Sequence, residues 1–256
     1  MKKILLCSLL TLIACQSASA DTFFGLYTGV NHWQTEYEGK TALQGTETAL
    51  QDDLGIEDSG NMFAYIAVEH FIPLIPNIKL QYTKVGLDGR SVLERDLYIY
   101  YKHFPVNTPM KSEAVYDNYD VIAYYELLDN WLTLDLGLNI KTFDGYLYTR
   151  GEFAAADESS KYLSIRYNFT KSIPMLYTKI QANIPFTGFY LGTESCGITT
   201  GTKTVLDLKG YAGYESEFGL GAEIGFRSIS LDVEQIDDMM ADFSAKGFYG
   251  SINYHF

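Results

Sequence analysis

Nowhere in this chain do about eighteen apolar residues follow one another, the length a helix needs to cross a bilayer. Helical membrane spans are therefore excluded. Cysteine is almost absent: of three, Cys7 and Cys15 fall in the first fifteen residues, which leaves Cys196 alone and rules out an internal disulfide. Cys196 sits in TESCGITTG, which reads as a loop, so an incidental loop residue is favoured over a nucleophile. Tryptophan (2) and proline (6) are scarce, and cations (19 Lys and Arg) fall far short of acids (32 Asp and Glu). That deficit argues against nucleic acid as a partner.

The first twenty residues are accounted for by export. Met1-Lys2-Lys3 is a basic n-region, Ile4 to Ala14 an apolar h-region too short to span a bilayer, and Ala18-Ser19-Ala20 a small-x-small cleavage site. Residues 1–20 are thus expected to be a signal peptide and 21–256 a single domain. A competing site, Leu12-Ile13-Ala14-Cys15, has the look of a lipoprotein box, with Cys15 as the lipidated residue. Removing the segment's two lysines takes the net charge from −13 to −15.

What is abundant is aromatic residues and glycine, with 21 Tyr, 15 Phe and 22 Gly. This usage suits strands and the aromatic girdles of membrane barrels. The clearest segment is WLTLDLGLNIKTFDG, 131–145, where Leu132, Leu134, Leu136, Leu138 and Ile140 alternate with Thr133, Asp135, Gly137, Asn139 and Lys141. Aliphatic residues on one parity, over roughly the nine to eleven residues of a tilted membrane strand, describe a lipid-facing stave. The chain's last ten residues, GFYGSINYHF, alternate too. Phe248, Gly250, Ile252, Tyr254 and Phe256 occupy one parity, and Tyr249, Ser251, Asn253 and His255 the other.

Equivalent alternation marks about ten strands: 23–37, 61–70, 78–85, 120–128, 131–145, 175–183, 189–194, 205–214, 220–227 and 247–256. Short turns (IPLIPN, LLDN, IPFTG, ESEFG) alternate with longer polar or acidic segments, including DDLGIEDSG, GLDGRSVLERDLYIYYKHFPVNTPMKSE, GEFAAADESS, CGITTGTKT and VEQIDDMMADF. The fold class expected is all-β, a closed antiparallel up-and-down transmembrane β-barrel. Closing strand ten on strand one removes both open edges, whose unsatisfied backbone groups would each cost on the order of a few kcal/mol in hydrocarbon. With both termini periplasmic, the long segments fall outside the cell.

Parity also sorts the charges. Lys79, Lys141, Lys179, Lys209 and Arg227 fall on the polar face with Glu69, Glu126, Asp135, Asp207 and Glu223, a matched set that leaves the acidic excess on loops and rims. Matched charges in a narrow bore imply a cross-linked polar plug.

The terminal FYGSINYHF resembles the β-signal of bacterial outer-membrane proteins, which implies that Phe248, Gly250, Ile252, Tyr254 and Phe256 are read by the barrel-assembly machinery. More widely, EHFIPLIPNIKLQYT (69–83), YYELLDNWLTLDLGLNIKTFDG (124–145), IPFTGFYLG (184–192) and the tail together resemble a family of small bacterial outer-membrane β-barrels of unassigned function. That family is associated with genomes carrying the GlyGly-C-terminal sorting system. Phe71 stands where the family pattern has proline, and the resemblance brings no catalytic or binding residues.

Motifs for chemistry are sparse. The histidines are His32, His70, His103 and His255; His70 and His255 read as periplasmic, whereas His32 and His103 point toward the outer rim, where Asp53 or Asp96 would meet them. No nucleophile motif accompanies them. GLGAEIG, 219–225, has the glycines of a dinucleotide fingerprint but opens no helix, so it reads as a strand. Asp52, Asp53, Glu57 and Asp58 either hold a divalent cation bridging lipopolysaccharide phosphates or form a solvated acidic loop, the reading their spacing favours. No catalytic residue, metal or cofactor is assigned. The function expected is an outer-membrane structural or surface-interaction barrel with a filled interior, meeting membrane lipids, lipopolysaccharide and an unnamed external partner. A narrow conduit or binding barrel for a small molecule, and a rim-sited hydrolase, are the alternatives.

Overall fold

The computed structural model describes residues 24–154, 160–201, 203–236 and 239–256. The targeting segment, with Cys7, Cys15 and both cleavage sites, lies outside them.

Period-two alternation runs through nearly all of the described chain. The first strand, β1 (Phe24–Leu43), is followed by the two-residue β2 (Thr48–Ala49), then β3 (Ser59–His70) and β4 (Asn77–Lys84), which β5 (Gly86–Val92) prolongs. A small hairpin of β6 (Leu97–Ile99) and β7 (Lys102–Phe104) leads into β8 (Pro109–Asp129), β9 (Leu132–Ala154), β10 (Ser160–Asn183), β11 (Phe189–Thr200), β12 (Lys203–Glu215), β13 (Leu220–Ile236) and β14 (Met239–His255). Each stave is antiparallel to the next, β4 and β5 forming one stave along β8, and β14 returns to β1 to close a ten-stranded barrel. The closing register runs from Tyr27↔His255 through Val30↔Ile252 to Leu43↔Met239. At the terminal rim the backbone of Phe256 completes the seam, its N–H donating to Leu26 at 3.0 Å.

The outer face carries a continuous apolar band. Val30, Ile66, Leu80, Val121, Leu136, Leu138, Leu176 and Ile252 are all exposed on it, since in hydrocarbon such side chains gain nothing by turning inward. Exposed aromatics border it, with Phe24, Trp131, Phe189 and Tyr214 towards the terminal rim and the Tyr82–Tyr119 pair (ring centroids 5.1 Å apart) towards the other. Next to that pair the outward face of β9 and β10 turns polar, with Thr142 and Ser172 hydrogen-bonded at 2.9 Å.

Several expected loops are strand. CGITTGTKT forms the upper part of the β11–β12 hairpin, so Cys196 is an inward, buried strand residue rather than a loop residue. VEQIDDMMADF is likewise largely the ends of β13 and β14, GEFA belongs to β9, and the long excursion after β4 holds β5 to β7 and the start of β8. Alternation in the sequence marks these strands only as far as their outward face is apolar. The backbone ladder needs no apolar outward face, and beyond the apolar band the staves continue with polar residues outside while Phe143, Leu147, Ile229 and Leu231 still pack inside. One glycine allows such an extension to bend: Gly39, at φ +124°, lies where a Cβ would come within 2.1 Å of the Asp242 carbonyl.

Candidate functional site

The bore is the place where this chain concentrates chemistry, because alternation sends every second side chain of ten staves into one narrow space. At mid-height Asp207 of β12 accepts three hydrogen bonds. They come from Lys141 Nζ of β9 at 2.9 Å and from Arg227 of β13, whose Nη2 lies 2.7 Å and Nε 3.0 Å away. Lys141 also donates to Asp120 of β8 at 2.8 Å, and Asp120 accepts from Asn139 at 2.6 Å. The Arg227 guanidinium reaches on to Thr83 Oγ1 of β4 at 3.0 Å, while its face lies 4.5 Å from the Phe63 ring centroid. Lys141 and Arg227 are completely buried.

A second layer lies on the terminal side. Glu194 of β11 sits between Lys79 (2.6 Å) and Lys209 (2.7 Å), and Lys209 donates to Gln81 at 3.0 Å. In the ring of staves, β12 and β4 are half a circumference apart, so the Lys209–Gln81 bond spans a diameter of the barrel. The two layers form a septum. Planar ligation by Arg227 and Lys contacts on both oxygens of Glu194 satisfy charges that would otherwise be costly to desolvate.

Below the septum the bore widens into a vestibule lined by tyrosines. Tyr124 donates to Glu69 at 2.6 Å, Tyr249 and Tyr190 donate to Glu223 at 2.6 and 3.2 Å, and Glu126 accepts from Asn77 at 3.2 Å. Lys179 stands 3.7 Å from the buried Asp135, and His255 stacks on Tyr27 and pairs with Glu215 at 3.2 Å. Of the ten charges named from parity, the structure thus brings Lys141, Asp207 and Arg227 into one cluster and Lys79 with Lys209 into another. Glu69, Glu126 and Glu223 hydrogen-bond to vestibule side chains instead.

The balance of signs needs correction. Asp120 and Glu194 are buried members of the network beyond the ten charges that parity names, so this inward set holds two more acids than cations. Both sat in plain view at the ends of segments, Asp120 beginning DVIAYYELL and Glu194 ending FYLGTE, where parity is hardest to anchor.

At the loop end, Arg95 bridges to Asp53 at 2.6 Å and to the Glu47 carbonyl at 2.8 Å, tying β6's approach to the insertion after β1. His103 meets Asp96 at 3.2 Å, and the Val106 N–H together with that histidine holds the Asp96 carboxyl below its ordinary range. Asp53 does not meet a histidine: it accepts from Ala49 N–H and Arg95. His32 is on the outer face of β1 and not at the rim, because the parity that sends Asn31 and Trp33 inward turns it out. Among the described residues no group of three or more His, Cys, Asp or Glu side chains is placed to hold a metal ion. GLGAEIG opens no helix: Gly219 is in the turn and Leu220 to Gly225 begin strand β13.

The terminal segment lies between β13 and β1. Phe248, Ile252 and Phe256 are exposed on the outer face, Gly250 shares that face, and the Tyr254 ring packs edge-on against Phe256 at 4.2 Å.

No family profile and no curated protein matches the chain. Among solved structures, the outer membrane protease OmpT from Escherichia coli aligns over 94% of this chain and 99% of its own, with TM-score 0.54 and 8% identity. Ail, the attachment invasion locus protein of Yersinia pestis, aligns over 92% and 100% at TM-score 0.32 with 8% identity, and a TodX monoaromatic hydrocarbon channel mutant over 91% and 90% at TM-score 0.40 with 7% identity. The last two superpose too loosely to carry weight. The fold is that of the bacterial outer-membrane β-barrels.

Proposed function

We propose that the chain is an integral barrel of the bacterial outer membrane whose bore is shut by its own side chains, and that it acts through the parts outside the bilayer. The observation that carries this reading is the septum: ion pairs and hydrogen bonds from Asp120, Lys141, Asp207 and Arg227, with Lys79, Glu194 and Lys209, link opposite walls. A pore needs a continuous water path, and a selectivity ring needs one sign of charge at one level. Here both signs alternate within each layer. The apolar band and its aromatic borders support insertion in a membrane, and the tall β9 and β10 staves with the insertion before β8 place most non-membrane mass at one end. In this reading both termini are periplasmic and that mass, with its acidic residues, faces the surroundings, meeting lipopolysaccharide or an external partner.

An epitope inserted at Gly201, in the open β11–β12 turn, tests this placement. It should be detected on intact cells, while a carboxyl-terminal tag should require permeabilisation. The reverse pattern would overturn the orientation.

Assembly gives a separate expectation. Phe256 ends the outward row of β14 and its backbone closes the seam with Leu26. Deleting Phe256 should lower the yield of folded, heat-modifiable protein in the outer membrane and leave export across the inner membrane intact. Unchanged folded yield would remove the terminal segment's role as the assembly signal.

A further inference from the structure

Directly above the septum the inward side chains change character. Phe143, Ile173, Leu87, Leu231 and Phe243 line a chamber of about 250 Å³, roofed by Leu50, Leu54 and Ile56 of the insertion after β1. Tyr116 stacks on Phe243 at 5.1 Å and meets Phe169 edge-on at 5.7 Å. An apolar cavity of about 150 Å³ lined by Leu, Ile and Phe holds benzene; here Lys40 and Lys171 also reach the lining, and Lys40 is engaged with Glu47 at 2.8 Å.

The chamber has a side entrance. β10 pairs with β9 from Ser160 to Ala182, but with β11 only from Leu176 to Asn183. β12, in turn, reaches β13 no higher than the Thr204↔Asp232 pair. Among the described residues no strand continues the wall between upper β10 and upper β13, so the short β11–β12 hairpin forms the sill of a notch. Asn168, Thr170 and Lys171, on the β10 edge of that notch, line the chamber and are exposed to solvent. The interior therefore communicates with the outside through the wall. The polar outward face of β9 and β10 at this height, Thr142, Asp144, Thr170 and Ser172, puts the entrance beyond the apolar band and not within it.

We infer that this chamber is a binding site for a neutral, planar aromatic molecule of two fused rings, entering through the notch. Size sets the upper limit, because the space exceeds a benzene cavity by less than a factor of two. Chemistry sets the class: the lining carries the rings of Tyr116, Phe143, Phe169 and Phe243, and aromatic rings are favourable partners for an aromatic ligand, whereas a sugar or a charged head would lose its hydration against Leu, Ile and Phe. The floor is the charged septum, so the molecule does not pass through. The inference goes beyond the closed-bore reading and does not depend on it, since conductance and ligand binding are measured separately.

The test uses the full barrel in phospholipid nanodiscs, with naphthalene as the probe and its fluorescence as the readout, and empty nanodiscs to subtract partition into lipid. Saturable binding of one naphthalene per barrel is expected. Ala114→Phe and Ile173→Trp, both filling the chamber, should each weaken it by roughly tenfold or more while heat-modifiability shows that the barrel is folded. Two variants guard against one failing to fold. Three results would overturn the inference: no saturable component in the wild type, equal binding by both folded variants, or tighter competition by n-octane than by naphthalene, which would mark an acyl-chain site.

Discussion

Asp207→Ala is expected to lower the barrel's unfolding free energy by about 3–5 kcal/mol, the cost of leaving buried charges without their counter-ion. Asp207 is the acid common to Lys141 and Arg227, and both cations lie wholly out of solvent. Lys141 keeps Asp120, but Arg227 loses both of its carboxylate contacts and retains the neutral Thr83. Asp207→Asn keeps the shape and removes the charge, so its cost should approach that of alanine, separating electrostatics from packing. Lys246→Ala supplies the contrast. Its pair with Glu38, at 2.6 Å, is partly exposed on both sides, and its loss should stay within about 0.5 kcal/mol. Denaturant unfolding in lipid vesicles measures all three, and equal costs for Asp207→Ala and Lys246→Ala would show that the septum contributes no more than a surface pair.

Leu136→Arg is expected to destabilise by about 2–4 kcal/mol, the penalty for a cation at the midplane of the lipid-facing wall. Leu136 is 43% exposed on the outer face, beside Tyr125 of β8 and Thr178 of β10 in register. Further along the same face Thr142 marks the point where the band turns polar, and Thr142→Arg should cost only about 0–1 kcal/mol. The difference between two arginines on one strand face measures depth rather than charge. Equal penalties would place the membrane elsewhere on the barrel.

The architecture was legible because a membrane barrel writes its constraint into every second residue. Where lipid is the solvent, as along Leu132 to Ile140, the outward row must be aliphatic and the alternation is unmistakable. Once a stave leaves the membrane that pressure stops, and this is why β9, β10, β13 and β14 run well past their expected ends and why the sequence around Cys196 reads as a loop. On strand one alternation alone does not tell the inward face from the outward, for a related reason: its inward row includes Asn31, Trp33, Thr35 and Tyr37, aromatic and polar at once. The charges of the bore were partly legible. Parity named Lys141, Asp207 and Arg227, but it says nothing about which partners meet across the lumen, since Lys209 and Gln81 are 128 residues apart in sequence. Glu194 escaped notice because its strand was read as too short to place it. The chamber and the notch were invisible, for they arise from unequal hairpin heights, a property of the assembled wall and not of any one segment.

Closure of the bore by its own side chains is tested most directly by electrical conductance across a planar bilayer. Purified wild-type protein, inserted at densities that give steps with an open porin, should produce no steady conductance. Large, reproducible single-channel steps from the wild-type barrel would contradict the septum and make the protein a conduit.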